Sequence, residues 1–496
     1  MMQAVTQFHE NPRIIAWVQR PEGRLALWLL ATALFLPSSA SRLVPLVLGL
    51  TMLWPTERLK VLLFAAPLVA LTLVSGRLPR LAGHPYALDN LISSLPAALL
   101  VLVFFVLCYV AAKNFQALPG PIRRHPLLAL HLLAWCLIFA SWQLPPDGVD
   151  ATAWKVVTPV FALIPFIVWR CSYMLLSGQR GSAKNSSLAE HLVYALPLYG
   201  GTSVPYGKGH DYLKRCWAST PEALAKAQLA GLKLLLLYWL WRVVNRVIIA
   251  IGYGNFQGKA ALLEDLGLAR FLDLGITPLD SLIARTNTLP LDLGDAWVSL
   301  ILSLVLQVLN LAITGHLIIG AVRLFGFNVF RNTYKPLLAE SIVEFWNRYY
   351  YYFKELLLEF FFYPVYTRYF RGHQGLRIFI AIMAAACIGN SYYHLLRDIS
   401  ALHPLSFTEA LAAMASRGFY TLLLGLGIYA SMMAEKRRRG RPPAETAGLV
   451  CHLIRLRRIA GVWLFFALIN IWNTHVPAAE FGRRSAFFFS LFGIDL

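Results

Sequence analysis

The chain has 496 residues, of which 58% are hydrophobic and 14% are charged. Soluble domains carry about a quarter charged residues, so this composition argues against a soluble protein and predicts a membrane protein. The 45 lysines and arginines outnumber the 25 aspartates and glutamates. Cytoplasmic loops of membrane proteins collect basic residues, which explains this surplus without nucleic-acid binding.

Long apolar runs follow one another along the chain. A helix needs about 20 apolar residues to cross the bilayer core, and roughly ten to twelve runs approach that length. The clearer runs are 25–37, 42–54, 59–76, 92–112, 126–143, 153–176, 229–252, 297–322, 378–396, 406–433 and 459–472. Several are short enough to be tilted or re-entrant. The pattern predicts an all-α polytopic membrane protein, with one integral membrane domain over 1–496 and its N-terminal spans within 1–190.

Loop charges predict the orientation of these helices. The basic segments that we expect to face the cytoplasm are 113–124, 177–223, 323–377 and 435–458. The acidic segments 144–152 and 254–296 are expected on the opposite side. The basic sequence KRRRGR at 436–441 is typical of a topology signal near anionic lipids, and an acidic or phosphorylated cytoplasmic partner is the alternative.

The segment 341–370 carries more charges and aromatic rings than a lipid-facing helix tolerates. At helical spacing, one face holds Glu344, Arg348, Glu355 and Glu359. A neighbouring face holds Trp346, Tyr350, Phe353 and Leu357. Such a helix lies at the membrane interface or lines a cavity, and an aromatic-belt helix stabilised by ion pairs is the alternative.

The segment 380–399 places a histidine at the end of an apolar run. Asn390, His394 and Asp398 are four residues apart, so they share a helical face. A neutral imidazole beside a hydrogen-bonding partner is a usual general base near neutral pH, although a single buried histidine can also be a packing residue. Neither polar segment has the ligand set of a metal site, and the six cysteines are scattered.

The stretch 316–366 resembles the central region of membrane-bound O-acyltransferases, in particular the bacterial branch that acetylates alginate or D-alanylates teichoic acids. The residues that carry the resemblance are Gly320, Arg323, Leu324, Phe325, Gly326, Phe327, Asn332, Pro336, Ser341, Ile342, Glu344, Phe345, Trp346, Arg348 and Pro364. Weaker similarity over 194–213 and 461–494 extends the family-like region to 194–494.

The resemblance also implies site residues. His394, in the sequence NSYYH, matches the invariant histidine of the family, whereas Tyr350 stands where the family has histidine or asparagine. Glu359 and His316 each stand where an aspartate is expected. Asn347 and Trp346 belong to the motif around Tyr350 and would line the site.

A family member of this kind would surround a tunnel through the bacterial inner membrane, with no bound cofactor. The resemblance implies that an acyl group, acetyl in our expectation, passes from a coenzyme A or carrier-protein thioester to a hydroxyl. The acceptor would be an exported polysaccharide, an envelope glycan or a lipid-linked hydroxyl, and a periplasmic hydrolase-like partner would complete delivery. His394 would be the general base, Tyr350 a hydrogen-bond donor, and Asn390 or Asp398 would orient the imidazole.

Two other functions remain open on the sequence alone. The tyrosine at position 350 and the loss of a glycine after His394 fit a fold that has lost acyl transfer. Such a protein would be a membrane scaffold or a lipid-binding partner in a complex. A transporter fits the number of apolar runs but lacks paired, Gly- or Pro-interrupted helices in two matching halves.

Overall fold

A computed structural model describes residues 7–35, 43–65, 95–142, 167–195, 208–254, 274–288, 290–402, 407–439, 449–473 and 481–494. These residues are mostly helical, and the one β contact among them is an isolated bridge between Trp217 and Phe327. Most of the family-like segment 194–213 lies outside the described residues, as do parts of the apolar runs 59–76 and 153–176.

The helices of the first half, in chain order, are Pro12–Val18 (α1), Pro21–Phe35 (α2), Leu43–Leu53 (α3), Leu95–Lys113 (α4), Gly120–Arg124 (α5), Pro126–Trp142 (α6), Leu188–Ala195 (α7), His210–Cys216 (α8) and Pro221–Tyr253 (α9). Those of the second half are Leu279–Arg285 (α10), Leu293–Leu324 (α11), Ile342–Tyr349 (α12), Tyr351–Leu357 (α13), Tyr363–Arg368 (α14), Gln374–Arg397 (α15), Ile399–Leu402 (α16), Phe407–Arg439 (α17), Leu449–Asn470 (α18) and Phe481–Ser490 (α19). Residues 58–65 and 167–179 are also helical.

Within the described residues, four helices are long and apolar enough to cross a membrane: α9, α11, α15 and Thr408–Arg438 of α17. They contain the apolar runs 229–252, 297–322 and 378–396, and most of the run 406–433. Shorter apolar helices occupy Val44–Leu53, Leu102–Lys113 and Pro126–Phe139. The chain is therefore an all-α membrane protein, as its composition predicts.

The chain divides into two compact units. The first unit comprises Met1–Leu236 and His316–Phe330, and the second comprises Leu237–Gly315 and Arg331–Leu496. Of the candidate site residues, His316 belongs to the first unit, and Trp346, Asn347, Tyr350, Glu359, Asn390, His394 and Asp398 belong to the second.

In the first unit, a glycine ends the long helix α11. Gly326 has φ +92°, its N–H donates to the Arg323 carbonyl at 2.9 Å, and the next N–H, of Phe327, donates to the Val322 carbonyl at 3.2 Å. This pair of bonds is a Schellman motif, which favours glycine at the left-handed position. A side chain there would also collide with the guanidinium of Arg58. The Phe-Gly-Phe motif of the sequence therefore has a structural role at this helix end.

The core of the second unit is aromatic and aliphatic. Phe345 of α12 stacks on Phe466 of α18 with ring centroids 3.9 Å apart. Leu424 of α17 and Phe487 of α19 are buried in the same cluster. This packing buries one face of α12.

Candidate functional site

Helix α12 begins with a capping arrangement that its sequence predicts. The Ser341 hydroxyl accepts the N–H of Glu344 at 3.1 Å, and the Glu344 carboxylate accepts the N–H of Glu340 at 2.6 Å. The same carboxylate pairs with Arg348 one turn later, at 2.5 Å. This is the S-x-x-E pattern of a helix N-terminus.

The helix predicted over 341–370 is interrupted at Tyr350, between α12 and α13. Tyr350 has φ −140° and ψ 75°, which is not helical. The charged face expected over 344–359 is therefore divided: Glu344 pairs with Arg348 on α12, whereas Glu355 pairs with Lys354 on α13 at 2.9 Å. A period of 3.6 residues cannot reveal such a break, because both halves are helical.

A non-helical segment, 332–334, forms hydrogen bonds with the residues on both sides of Tyr350. The Tyr334 N–H donates to the Arg348 carbonyl at 2.8 Å, the Thr333 hydroxyl donates to the Tyr349 carbonyl at 2.9 Å, and the Tyr351 N–H donates to the Asn332 carbonyl at 2.9 Å. Helix ends leave N–H and C=O groups without intrahelical partners, and these bonds satisfy three of them. The segment 332–334 thus determines where the Tyr350 side chain lies.

The Phe353 ring joins the two polar segments of the sequence. Its centroid lies 5.3 Å from the Tyr350 ring, 4.6 Å from the Tyr393 ring and 6.0 Å from the His394 ring. Phe353, Tyr393 and His394 are all buried. The two residues that the resemblance assigns to catalysis therefore meet around one buried phenylalanine, although the sequence separates them by more than forty positions.

The Tyr350 hydroxyl is buried, and it finds no hydrogen-bond partner among the described residues. Burial, with a smaller contribution from Tyr393, raises the pKa of Tyr350 well above its ordinary value. The phenol therefore stays protonated and is available as a donor to a ligand oxygen.

Beyond His394, α15 ends in an ion pair. The Arg397 guanidinium donates to both carboxylate oxygens of Asp398, each at 2.7 Å, and the Asp398 N–H donates to the His394 carbonyl at 2.9 Å. Asn390 is buried one turn before His394, and its side-chain oxygen has no partner among the described residues. The orienting role expected for Asn390 or Asp398 stays a prediction.

The remaining candidates lie in different surroundings. The Trp346 ring is half-buried, with its centroid 6.0 Å from the Phe353 ring. Asn347 is exposed, so it does not join this cluster. Glu359 is half-buried in a π turn over Leu358–Phe362.

The structure adds residues that the sequence reasoning missed. Helical spacing predicts Phe353 on the same face as Trp346 and Tyr350, but nothing in the sequence indicates its contact with His394. Arg417 is different: it is buried within the apolar run 406–433, and its guanidinium donates to the Asn473 side chain. An ionisable residue inside a predicted span is the signal that should have singled it out.

The first unit holds another titratable cluster that was not expected. The His191 and His210 rings stack with centroids 4.6 Å apart, and the Ser186 hydroxyl lies 2.6 Å from His191 Nε2. His210 Nε2 lies 3.4 Å from a Glu190 oxygen. Burial, followed by the neighbouring His210, lowers the pKa of His191 to about 4. His191 is therefore neutral near pH 7, and these contacts link α7 to α8.

No group of three or more His, Cys, Asp or Glu residues that could hold a metal ion occurs among the described residues. No protein-family model matches the chain, and no curated protein matches it.

Proposed function

We propose that this protein is a membrane O-acyltransferase, which moves an acyl group from a cytoplasmic thioester to a hydroxyl acceptor. The observation that carries the proposal is the contact of both Tyr350 and His394 with the buried Phe353 ring. A general base and a protonated hydrogen-bond donor around one apolar ring form a minimal site for acyl transfer between preformed substrates.

In the proposed reaction, the acceptor oxygen attacks the thioester carbonyl while His394 takes the proton of the hydroxyl. A carbon–oxygen bond forms, the carbon–sulfur bond breaks, and the leaving thiolate receives the proton. The Tyr350 hydroxyl donates to the carbonyl oxygen as negative charge develops there. A thioester is already activated, so holding both substrates together supplies much of the acceleration without a covalent enzyme intermediate.

The choice of substrates follows from the sequence resemblance. An acetyl thioester would enter from the cytoplasm, and the acceptor would be an exported polysaccharide or another envelope glycan. A multi-pass location in the bacterial inner membrane and a periplasmic hydrolase-like partner belong to the same proposal. The four candidate spans support only the membrane location.

The test compares purified wild type with His394→Gln and with the matched control His373→Gln, since His373 is exposed. Thiol release from acetyl-CoA and transfer to hydroxyl acceptors are measured for the full chain in detergent or nanodiscs. We expect a loss of about 10²–10⁴-fold for His394→Gln and no loss for the control. Equal rates for wild type and His394→Gln would remove His394 from the mechanism. A wild type that is inactive with every thioester would favour the membrane scaffold.

A further inference from the structure

Asn390 is a buried polar residue to which the proposed reaction gives no contact with a substrate. It is 1% exposed, and its side-chain oxygen has no hydrogen-bond partner among the described residues. Its backbone N–H, by contrast, donates to the Ala385 carbonyl. A buried acceptor without a donor is costly, and most such atoms in native proteins have a partner. The Asn390 oxygen also directly follows the π turn Met383–Gly389, and π turns are frequent at functional sites.

Asn390 lies on the side of α15 that faces away from lipid. Asn390 and His394 are four residues apart, so their side chains are neighbours on one face of the helix. Ile388 lies about half a turn around the helix axis from Asn390, and it is 64% exposed. Because α15 is a candidate span, Ile388 marks the lipid side of this helix. Asn390 and His394 therefore face the interior of the second unit together.

The polar neighbours of Asn390 are bonded to other groups. The Ser391 hydroxyl lies 2.7 Å from the Thr421 hydroxyl of α17. Both carboxylate oxygens of Asp398 accept hydrogen bonds from a guanidinium, each at 2.7 Å. None of these bonds involves the Asn390 oxygen, so it is available to a ligand.

The chemistry of the two substrates indicates which of them contacts Asn390. The amide oxygen only accepts hydrogen bonds, so its partner must bring an N–H or an O–H. An acetyl thioester has neither group beside its carbonyl, and in the proposed reaction the Tyr350 hydroxyl already donates to that carbonyl. Near His394, the hydroxyl acceptor is therefore the substrate that can supply the missing donor.

We infer that the Asn390 oxygen accepts a hydrogen bond from a second hydroxyl of the acceptor, on the carbon next to the one that carries the reacting hydroxyl. Naming the ligand as the acceptor rests on the proposed acyl transfer. The Asn390 and His394 side chains leave α15 about 5–6 Å apart at their Cβ atoms, so they can contact neighbouring hydroxyls of one sugar ring at the same time. Asn390 is then a specificity residue, which selects a vicinal diol over a lone alcohol.

The test uses acceptors that differ only in the second hydroxyl. The probes are cis- and trans-1,2-cyclohexanediol, with cyclohexanol as the matched mono-alcohol, offered with acetyl-CoA to the full chain in detergent. Each alcohol is scored by kcat/KM for ester formation and by its competition with the best acceptor of the wild type. We expect a preference of about 3–10-fold for at least one diol, beyond the factor that its second reacting hydroxyl contributes. If neither transfer nor competition shows this preference in wild type, the inference is wrong.

Asn390→Leu separates a contact with the acceptor from an effect on His394. The variant lacks the acceptor oxygen, so it should lose the about 3–10-fold diol preference and keep the wild-type rate with cyclohexanol. An equal loss with diol and mono-alcohol would mean that Asn390 orients the imidazole, and it would overturn the inference. The matched control is Asn310→Leu, because Asn310 is exposed on α11, and it should keep the diol preference.

The thermal unfolding midpoint of the same variants does not depend on activity. Removing a buried oxygen that has no partner should leave the midpoint of Asn390→Leu equal to that of wild type or raise it. Asn390→Ala removes the oxygen without adding volume, and it should lose the same diol preference. A lower midpoint in both variants, with the diol preference intact, would mean that the oxygen has a structural partner and that the inference is wrong.

Transfer and preference are scored separately, so the two proposals fail in different ways. Transfer to hydroxyl acceptors without a diol preference removes the role of Asn390 and leaves the proposed function standing. No transfer to any hydroxyl acceptor removes both, because the role of Asn390 rests on the transfer.

Discussion

Replacing Tyr350 by phenylalanine isolates the contribution of one buried hydroxyl. If the hydroxyl donates to the developing oxyanion, Tyr350→Phe should lower kcat by about 10²-fold. Folding stability should stay equal or rise by up to about 1 kcal/mol, because a buried hydroxyl without a partner among the described residues is removed. The two measurements are steady-state kinetics and thermal unfolding of the same preparation. A parallel loss of kcat and stability would show a structural role instead.

The raised pKa of Tyr350 predicts how folding stability and the kcat ratio of wild type to Tyr350→Phe depend on pH. The folded-state pKa lies above the value of the unfolded chain, so the contribution to stability is complete below about pH 10 and is lost above it. The kcat ratio of wild type to Tyr350→Phe should therefore be constant between about pH 6 and 9. Tyr369→Phe is the control, because Tyr369 is exposed. A ratio that changes over this range would mean that the phenol ionises and is not the proposed donor.

Among the elements, the π turns of the second unit depend on close packing. The π turn Met383–Gly389 of α15 contacts the π turn Leu358–Phe362. A Cβ at Gly389 would lie 2.6 Å from the Phe361 ring. Gly389→Ala should therefore destabilise the protein by about 1–3 kcal/mol through overpacking, measured by thermal or denaturant unfolding.

A second glycine of α15 provides a control, because its replacement by alanine is expected to change folding stability in the opposite direction. Gly375 is the second residue of α15, and a Cβ there meets nothing within 4 Å among the described residues. Gly375→Ala should leave stability unchanged or raise it by up to about 1 kcal/mol, because alanine favours helix. If both alanine variants unfold like wild type, the contact between the two π turns is looser than the structure indicates.

Helix α12 shows which features of an element can be predicted from local sequence and which cannot. The S-x-x-E pattern of Ser341 and Glu344 marks the start of α12 at Ile342, and it could have been found from the sequence because the two residues are close together in it. The break at Tyr350 was missed because its partners, Asn332 to Tyr334, come from an earlier segment and contribute mostly backbone groups. Backbone hydrogen bonds of this kind leave no side-chain pattern from which to predict them.

At the scale of the whole molecule, the apolar composition predicts a helical membrane protein. A segment that lies in lipid has to be apolar, and it has to satisfy its backbone hydrogen bonds internally, as a helix does. The contact of His394 with Phe353 is tertiary, so helical spacing within either segment could not predict it. Only the family resemblance suggested that His394 and Tyr350 belong together. The buried Arg417 was visible in sequence, but it was counted within an apolar run and not as an exception to it.

Orientation in the membrane can be tested with two thiols. Thr288 and Cys451 are both exposed, and Cys451 lies in the predicted cytoplasmic segment 435–458. The candidate spans α11, α15 and α17 lie between them, and three crossings would put the two positions on opposite sides. In a background without the other cysteines, the thiol of Thr288→Cys should react with a membrane-impermeant maleimide in intact bacteria. The native Cys451 should react only after permeabilisation.

The labelling pattern tests two separate predictions. The number of crossings decides whether the two thiols lie on opposite sides, and the loop charges decide which of them faces the cytoplasm. Reversed labelling keeps the three crossings and contradicts the orientation taken from the loop charges. If both thiols are labelled from the same side, the chain between them crosses the membrane an even number of times, that is, one time more or one time fewer than three. The segment containing α12 to α14 would then be the first place to look for the difference, because its interrupted helices join two candidate spans. Labelling of Thr288→Cys from outside the cell, and of Cys451 only after permeabilisation, would agree with both the three crossings and the orientation taken from the loop charges.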